Sequence, residues 1–515
     1  MKNVGSQKTE ARRQKSEVAP TLSRTIRFCL LACAFGLFVV LATLNSAGYR
    51  YGASDQALYI PSVLRHLDPA LFPQDRVLIS AHARLMVADE ILAGVVRLTG
   101  VSIQHLFLAL YVTSLLLLAA GASRIGARLY RTRWAVVALG AALTLRHAIA
   151  KTGANSLEGY FHPRQLAFAL GVIAVAMFLE RRERVAAALI LAAGLVHPTT
   201  AFWFALWLGV AVWLARPEWR KPLAAGAALL AVAGGLALSR GPLAGRLMPM
   251  DADWLQVIAD RDYLFPLAWP VDVWVTNLIA VPVIVLGWRA RVRAGLTVAG
   301  ESPVVLGALA LALLFFAWLP FSGAHIALAV QLQVTRVFWM IDFLGTVYLV
   351  WAMAEGTART TGRRAAIAAA VILALSTARG VYGCFIQFPD RRVLAIDLQH
   401  DDWREAMAWA RTTDPGSGWL ADPHHAALYG STVRAAGHRD VLIDLLKDPA
   451  IAMYDRPLAM RLADRQRALA ALRWDTPDGA RALARRYGLD YLVIDRQLEL
   501  PLAHRSGSLF IYRLR

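Results

Sequence analysis

The chain has 515 residues, 57% of them hydrophobic and only 18% charged, a balance that excludes an ordinary soluble protein and fits a polytopic α-helical membrane protein. Its 55 Lys and Arg against 36 Asp and Glu give a formal net charge of +19. A soluble nucleic-acid binder can be as basic, but it does not carry repeated apolar runs of membrane-spanning length. Cys29, Cys33 and Cys384 are too few for a disulfide framework, and neither CxxC nor HExxH occurs, so redox and zinc chemistry have no support.

Residues 1–27 form a basic N-terminus with Lys2, Lys8, Arg12, Arg13, Lys15, Arg24 and Arg27. The apolar run that follows, 28–47, is too long for a signal-peptide core and reads as a retained first helix with its basic flank in the cytoplasm. Further spans are expected near 105–123, 134–150, 165–180, 185–197, 200–215, 222–239, 271–288, 303–320, 334–354 and 364–382, eleven in all. Alternate loops carry clusters such as Arg124, Arg128, Arg131 and Arg133, or Arg359, Arg363 and Arg364, which the positive-inside rule assigns to the cytoplasmic face.

The loops on the other face differ in kind. The first, 48–104, contains an amphipathic stretch, 85–98, suited to lying along the interface. Another, 239–270, holds Asp251, Asp253, Asp260 and Asp262. After a transmembrane domain at 28–384, the composition of 385–515 becomes that of a small soluble α/β domain. Helix-like stretches at 403–411, 460–472 and 478–487 mix there with strand-like ones at 441–444, 491–495 and 509–513. The odd span count puts this domain in the periplasm of a bacterial inner-membrane protein.

Asp55 lies just past the first helix, at the membrane surface, where a lipid-borne phosphate and a water-soluble acceptor both come within reach. A carboxylate there suits a general base that deprotonates an attacking hydroxyl; the alternative is that it caps the helix that follows. Asp68 and Asp75 read as turn or cap residues beside Pro69 and Pro73. His162 and Arg164, before the fourth span, and His197, at the end of the fifth, are ionisable groups at bilayer depth, costly unless they face a cavity or a partner. They are candidates to bind a phosphate beside Asp55, against an alternative of interfacial anchoring. Gln331, Gln333 and Arg336 open the tenth span, where the guanidinium suits a phosphate clamp. Asp342 sits off the Arg336 face and suits a bond to a neighbouring helix. In the terminal domain, Arg434 and Trp403 are candidates for glycan or headgroup contact or for structural roles, and His424-His425 is weak evidence for a metal.

The order of a basic N-terminus, one span, a long outside loop opening on Asp55-Gln56-Ala57-Leu58-Tyr59, many further spans and a terminal α/β domain resembles the GT-C class of integral-membrane glycosyltransferases. That class includes oligosaccharyltransferase catalytic subunits, protein O-mannosyltransferases and lipid A aminoarabinose transferases. Residues 55–75, the run Tyr160-Phe161-His162-Pro163-Arg164-Gln165 and His197-Pro198-Thr199-Thr200 look more closely like a group of bacterial GT-C-like proteins.

The resemblance implies Asp55 as the catalytic acid residue of the first loop. It implies Gln56, Tyr59, His162, Arg164, His197, Gln333 and Arg336 as substrate-binding residues, and a polyprenyl-phosphate sugar as donor. Gln56 stands where a second acid is frequent in that class, so a divalent metal is admitted rather than required. The expected partners are membrane lipids, the lipid-linked sugar and a saccharide or lipid acceptor of the cell envelope, with no nucleic acid. Two readings from other classes stay beside it: a transporter or flippase of lipid-linked saccharides, which needs no base, and a non-catalytic assembly partner.

Overall fold

The computed structural model describes residues 24–83, 86–356, 362–398 and 401–515. Residues 1–23 of the basic N-terminus, Leu85 of the amphipathic stretch and Arg359 of the last arginine loop lie outside these. Among the described residues, eight helices are long and apolar enough to cross a membrane: Phe28–Asn45, Ile103–Leu129, Pro198–Ala215, Pro217–Ser239, Val271–Arg293, Glu301–Gly323, Ala327–Ala354 and Gly362–Gln387. The chain is a polytopic helical protein. The remaining three of the eleven expected spans fall on shorter helices, Arg133–Leu143, Pro163–Leu179 and Glu183–Val196.

Proline sets two of these lengths. His162 and His197 are extended at φ −132° and −153° because each precedes a proline, which disfavours the helical region for the residue before it. At 1.5 Å per residue, 17 residues rise only about 25 Å, so a count of eleven crossings does not follow from helix length. Pro163–Leu179 is nonetheless buried along almost its whole length, as befits a helix apolar on every side. Its neighbours close in tightly: a Cβ on Gly171 would come within 2.4 Å of the Phe204 ring, and one on Gly121 within 2.9 Å of Val172. Small residues at such crossings are what lets helix backbones approach where the lipid supplies no hydrophobic drive.

The amphipathic stretch of the first loop is helical over Ala88–Thr99 and packs on the helix Gln56–Leu67, where the Ser62 hydroxyl donates to Asp89 at 2.6 Å. A short parallel pair, β1 (Tyr49–Arg50) with β4 (Leu394–Ala395), joins the chain leaving the first long helix to the chain leaving the last. Between them in sequence, β2 (Ala148–Ile149) and β3 (Ala154–Asn155) form a small hairpin.

The terminal domain holds a five-stranded sheet in the order β6-β5-β7-β9-β8, from β5 (Gly418–Leu420), β6 (Asp440–Val441), β7 (Tyr491–Ile494), β8 (Leu502–Ser506) and β9 (Leu509–Arg513). β5 pairs parallel with β6 and β7, while β9 runs antiparallel to β7 and β8. Helices Asp402–Ala410, Arg456–Leu472 and Pro477–Tyr487 cover it.

Two loops contribute to fastening the domain to the bundle. From the first, Asp75 pairs with Arg434 at 2.6 Å, and Arg434 also pairs with Asp448 at 2.7 Å, with all three side chains essentially inaccessible. Asp75 lies in a turn, as expected, and its side chain is also an anchor, while Arg434 is a structural ion-pair partner rather than a glycan contact. From the second loop, Trp254 donates to the Ala452 carbonyl at 2.9 Å and Arg261 to the Leu445 carbonyl at 2.8 Å. Asp251 both caps the helix Ala252–Ile258 and pairs with Arg456.

Candidate functional site

Asp55 occupies the N-cap position of the helix Gln56–Leu67, yet its side chain accepts no bond from the helix, so the capping alternative fails. The carboxylate turns instead toward the seam between bundle and terminal domain. Lys447 Nζ donates to Oδ1 at 2.7 Å and the Tyr160 hydroxyl to Oδ2 at 3.0 Å, while His162 Nε2 stands 3.3 Å and Arg164 3.6 Å from Oδ2. About a fifth of the Asp55 side chain stays exposed. The preceding Ser54 has φ +53°, a region that costs a non-glycine residue about 1–3 kcal/mol and persists where surrounding contacts over-determine it. Those contacts come from Lys447, which donates to the Ser54 hydroxyl at 3.2 Å, and from the Tyr160 hydroxyl, 3.1 Å from it.

His162 opens the helix Pro163–Leu179 as its cap: its Nδ1 accepts the Arg164 backbone N–H at 3.1 Å. An accepting Nδ1 leaves the proton of a neutral imidazole on Nε2, the nitrogen aimed at Asp55. Burial, and then the Arg164 charge, push the His162 ring down to about 3, so it is neutral at physiological pH. Arg164 is held by Glu158 at 2.6 Å and by the Gly153 carbonyl at 2.9 Å. Burial acts to raise the Asp55 carboxyl, but Lys447, His162 and Arg164 outweigh it and hold it well below its ordinary range. Tyr160, raised by its burial and by Asp55, remains a phenol able to donate.

The other sequence candidates divide. His197 caps the helix Pro198–Ala215, its Nδ1 2.9 Å from the Thr200 hydroxyl, and its ring lies 6.2 Å from that of His162. Tyr59 sets its ring against His162 at 5.2 Å. Gln56 is fully buried and spends its amide on the backbone, accepting from Gly52 N at 2.7 Å and donating to Phe161 O at 3.0 Å. Gln333, at φ +51°, donates to the Tyr454 hydroxyl at 2.9 Å, while Gln331 donates to the Met453 carbonyl. Arg336 lies over the Tyr263 ring at 5.9 Å, and its Nε is buried without a partner among the described residues. The charges that act on it include those of Arg164 and Asp55. Asp342 does bond outside its helix, 3.0 Å from His147 Nε2.

Sequence reasoning missed Lys447 and Glu158, and named Tyr160 only as the start of the run 160–165, without a role. Lys447 is 392 positions from Asp55 and sits in a turn of the terminal domain, where a lysine reads as a solvated surface residue.

A divalent metal does not fit. Among the described residues no group of three or more His, Cys, Asp and Glu is placed to hold one, and the Asp55 oxygens already face an ammonium, a phenol, an imidazole N–H and a guanidinium. His424 and His425 diverge: His425 Nδ1 is 2.7 Å from the Asp422 carbonyl, while His424 points toward the Asp422 carboxylate at 3.7 Å. Fold and site together define a polytopic helical membrane protein with the Asp55 carboxylate at this seam, facing two cations, Lys447 and Arg164, and two neutral donors, Tyr160 and His162. Compared with known proteins, the chain matches no family model and no curated protein sequence.

Proposed function

We propose that this protein is a GT-C-like glycosyltransferase that moves a sugar from a polyprenyl-phosphate donor to an envelope glycan or lipid. The observation that carries the reading is the Asp55 carboxylate, uncommitted to its helix and facing Lys447, His162 and Arg164. Guanidinium groups at Arg164 and Arg336 suit the donor phosphate. The acceptor hydroxyl oxygen forms a bond to the anomeric carbon as the bond from that carbon to the phosphate oxygen breaks. The electron pair leaves on the polyprenyl phosphate, the hydroxyl proton goes to Asp55, and the anomeric centre inverts.

A carboxylate of depressed pKa is a poor base at rest. An anionic donor beside Arg164 and Lys447 offsets their charge and raises Asp55 toward the value that proton transfer needs. Substrate binding then switches the base on. No metal takes part in this step.

The reading includes an orientation. The arginine-bearing loops share one end of the bundle, where Arg124 pairs with Glu180, Arg216 with Glu183, and Arg131 and Thr132 N–H groups donate to Glu355. We place that end in the cytoplasm of a bacterial inner membrane, with Asp55 and the terminal domain on the periplasmic face. Nucleotide sugars are absent there, which is why a lipid-borne donor is invoked.

The test incubates the purified full chain with radiolabelled polyprenyl-phosphate sugars and membrane extract. Asp55→Asn is expected to lower transfer by about 10²–10⁴-fold, and Lys447→Ala to lower it less while shifting its pH profile. Donor binding with no transfer by wild type, unchanged in Asp55→Asn, overturns the enzyme in favour of a flippase or an assembly partner.

A further inference from the structure

A cleft of about 550 Å³, lined by Ala53 but not by Asp55, lies between the first loop and the terminal domain. Four arginines line it: Arg50 from β1, Arg391 and Arg392 from the segment leaving the last long helix, and Arg404 from the helix Asp402–Ala410. Among the described residues none of these guanidinium groups has a carboxylate within ion-pair distance, although Arg391 rests on the Phe388 ring at 3.6 Å. The Nε of Arg50 is buried with no hydrogen-bond partner.

Three acids, Asp397, Asp401 and Asp402, line the same cleft, and the last two are held by other groups. Asp402 accepts from the backbone and hydroxyl of Ser508 at 2.7 and 2.6 Å, and Asp401 caps its helix by accepting the Arg404 N–H at 2.9 Å. Burial, and then the charges of Arg391 and Arg146, pull the Arg50 guanidinium below its ordinary value. The cleft therefore holds four guanidinium groups against three carboxylates, with no ion pair between them among the described residues. A buried or half-buried cation without a partner is costly, and guanidinium forks match the oxygens of a phosphoryl group two at a time.

We infer that this cleft is a binding site for a phosphate-bearing ligand, distinct from the Asp55 site and roomy enough for a headgroup or a sugar phosphate beside the phosphoryl group. The volume lies within the range of small-molecule sites. Arg50 and Arg391 leave the first and last long helices close to the membrane, so the phosphate can arrive on a lipid or free in solution. The inference stands on the four arginines and not on the chemistry read for Asp55.

The experiment measures saturable binding and thermal protection of the detergent-purified full chain by inorganic pyrophosphate, by short-chain phosphatidylglycerol and by short-chain phosphatidylcholine. Protection by phosphatidylglycerol alone identifies a lipid headgroup, and protection by pyrophosphate identifies a soluble phosphate. The double variant Arg392→Ala/Arg404→Ala is expected to weaken the effective ligand at least tenfold and to flatten its salt dependence. Arg481→Ala, a surface arginine elsewhere on the terminal domain, is expected to leave it unchanged. Equal protection of wild type and the double variant, or none by either phosphate probe, overturns the site. Asp55→Asn is expected to bind as wild type does, so loss of transfer and loss of this binding report on separate claims.

Discussion

Asp89 illustrates how much one carboxyl's surroundings decide. It is 1% exposed, takes a single bond from Ser62 and leaves Oδ1 without a partner among the described residues, and its burial raises the carboxyl to about 7. Its folded value thus exceeds an unfolded value near 3.9, so the folded chain holds the proton more tightly. The contribution to stability is full below about pH 4 and is lost as pH rises through 7. Asp89→Asn carries no such proton, and relative to wild type it should gain on the order of 2–4 kcal/mol between pH 5 and pH 8. Thermal melts of both proteins across that range check this; a difference in Tm that does not change with pH would refute it.

Asp55 shows the opposite case, a carboxyl that stays ionised because cations face it. The sequence was enough to place Asp55 at the end of the first helix, and to put His162 and Arg164 at the opening of another. His-Pro at 162–163 and at 197–198 is a helix start that can be read directly, since proline fits the first helical turn and the residue before it does not. The Lys447 contact was not legible. Nothing local ties a lysine in a soluble turn to a carboxylate 392 positions away; only the docking of two domains does.

At the scale of elements, docking rests on the buried group of Asp75, Arg434 and Asp448. Asp75 arrives from the helical first loop, and Arg434 from the short helix Val433–Gly437. Arg461 and Arg465 from the helix Arg456–Leu472 approach the same Asp75 oxygen at 3.4 and 3.6 Å. Removing one member of such a group leaves charges buried and uncompensated, at a cost of about 3–5 kcal/mol. Arg434→Met should therefore lower the Tm and open the terminal domain to limited proteolysis. Arg434→Lys should recover only part, because a point charge cannot span two carboxylates as a planar fork does. A melt of Arg434→Met matching wild type would remove the anchor from this account.

The same scale explains which strands the sequence disclosed. β7 and β9 are apolar runs flanked by turn residues and fall where expected. β5 is only Gly-Trp-Leu, three buried residues between β6 and β7, too short to leave a period. β8 reads Leu-Ala-His-Arg-Ser, polar because it is an edge strand with one face in solvent. Helices Asp402–Ala410 and Pro477–Tyr487 were visible because each pairs an apolar stripe with charged residues on the other side.

For the whole molecule the question is which groups share a face of the membrane. Helix length alone leaves it open, since eight long helices and three shorter ones do not fix a parity. The contacts are more decisive: Asp75 of the first loop and Arg434 of the terminal domain are in direct ion-pair contact, so the two segments lie on one side whatever the number of crossings. Arg182, beside Glu180 and in the group with Arg124, belongs to the other end by the reading of the loops. In a variant with Cys29, Cys33 and Cys384 replaced by serine, single cysteines at Asp68, Asp478 and Arg182 report this directly. All three positions are exposed. In intact bacterial cells with a permeabilised outer membrane, a membrane-impermeant thiol reagent is expected to label Asp68→Cys and Asp478→Cys alike, and Arg182→Cys only after the inner membrane is opened. Labelling of Arg182→Cys alone would reverse the orientation while keeping the docking. Labelling of Asp68→Cys without Asp478→Cys would break the docking itself, and with it the seam at which Lys447 meets Asp55.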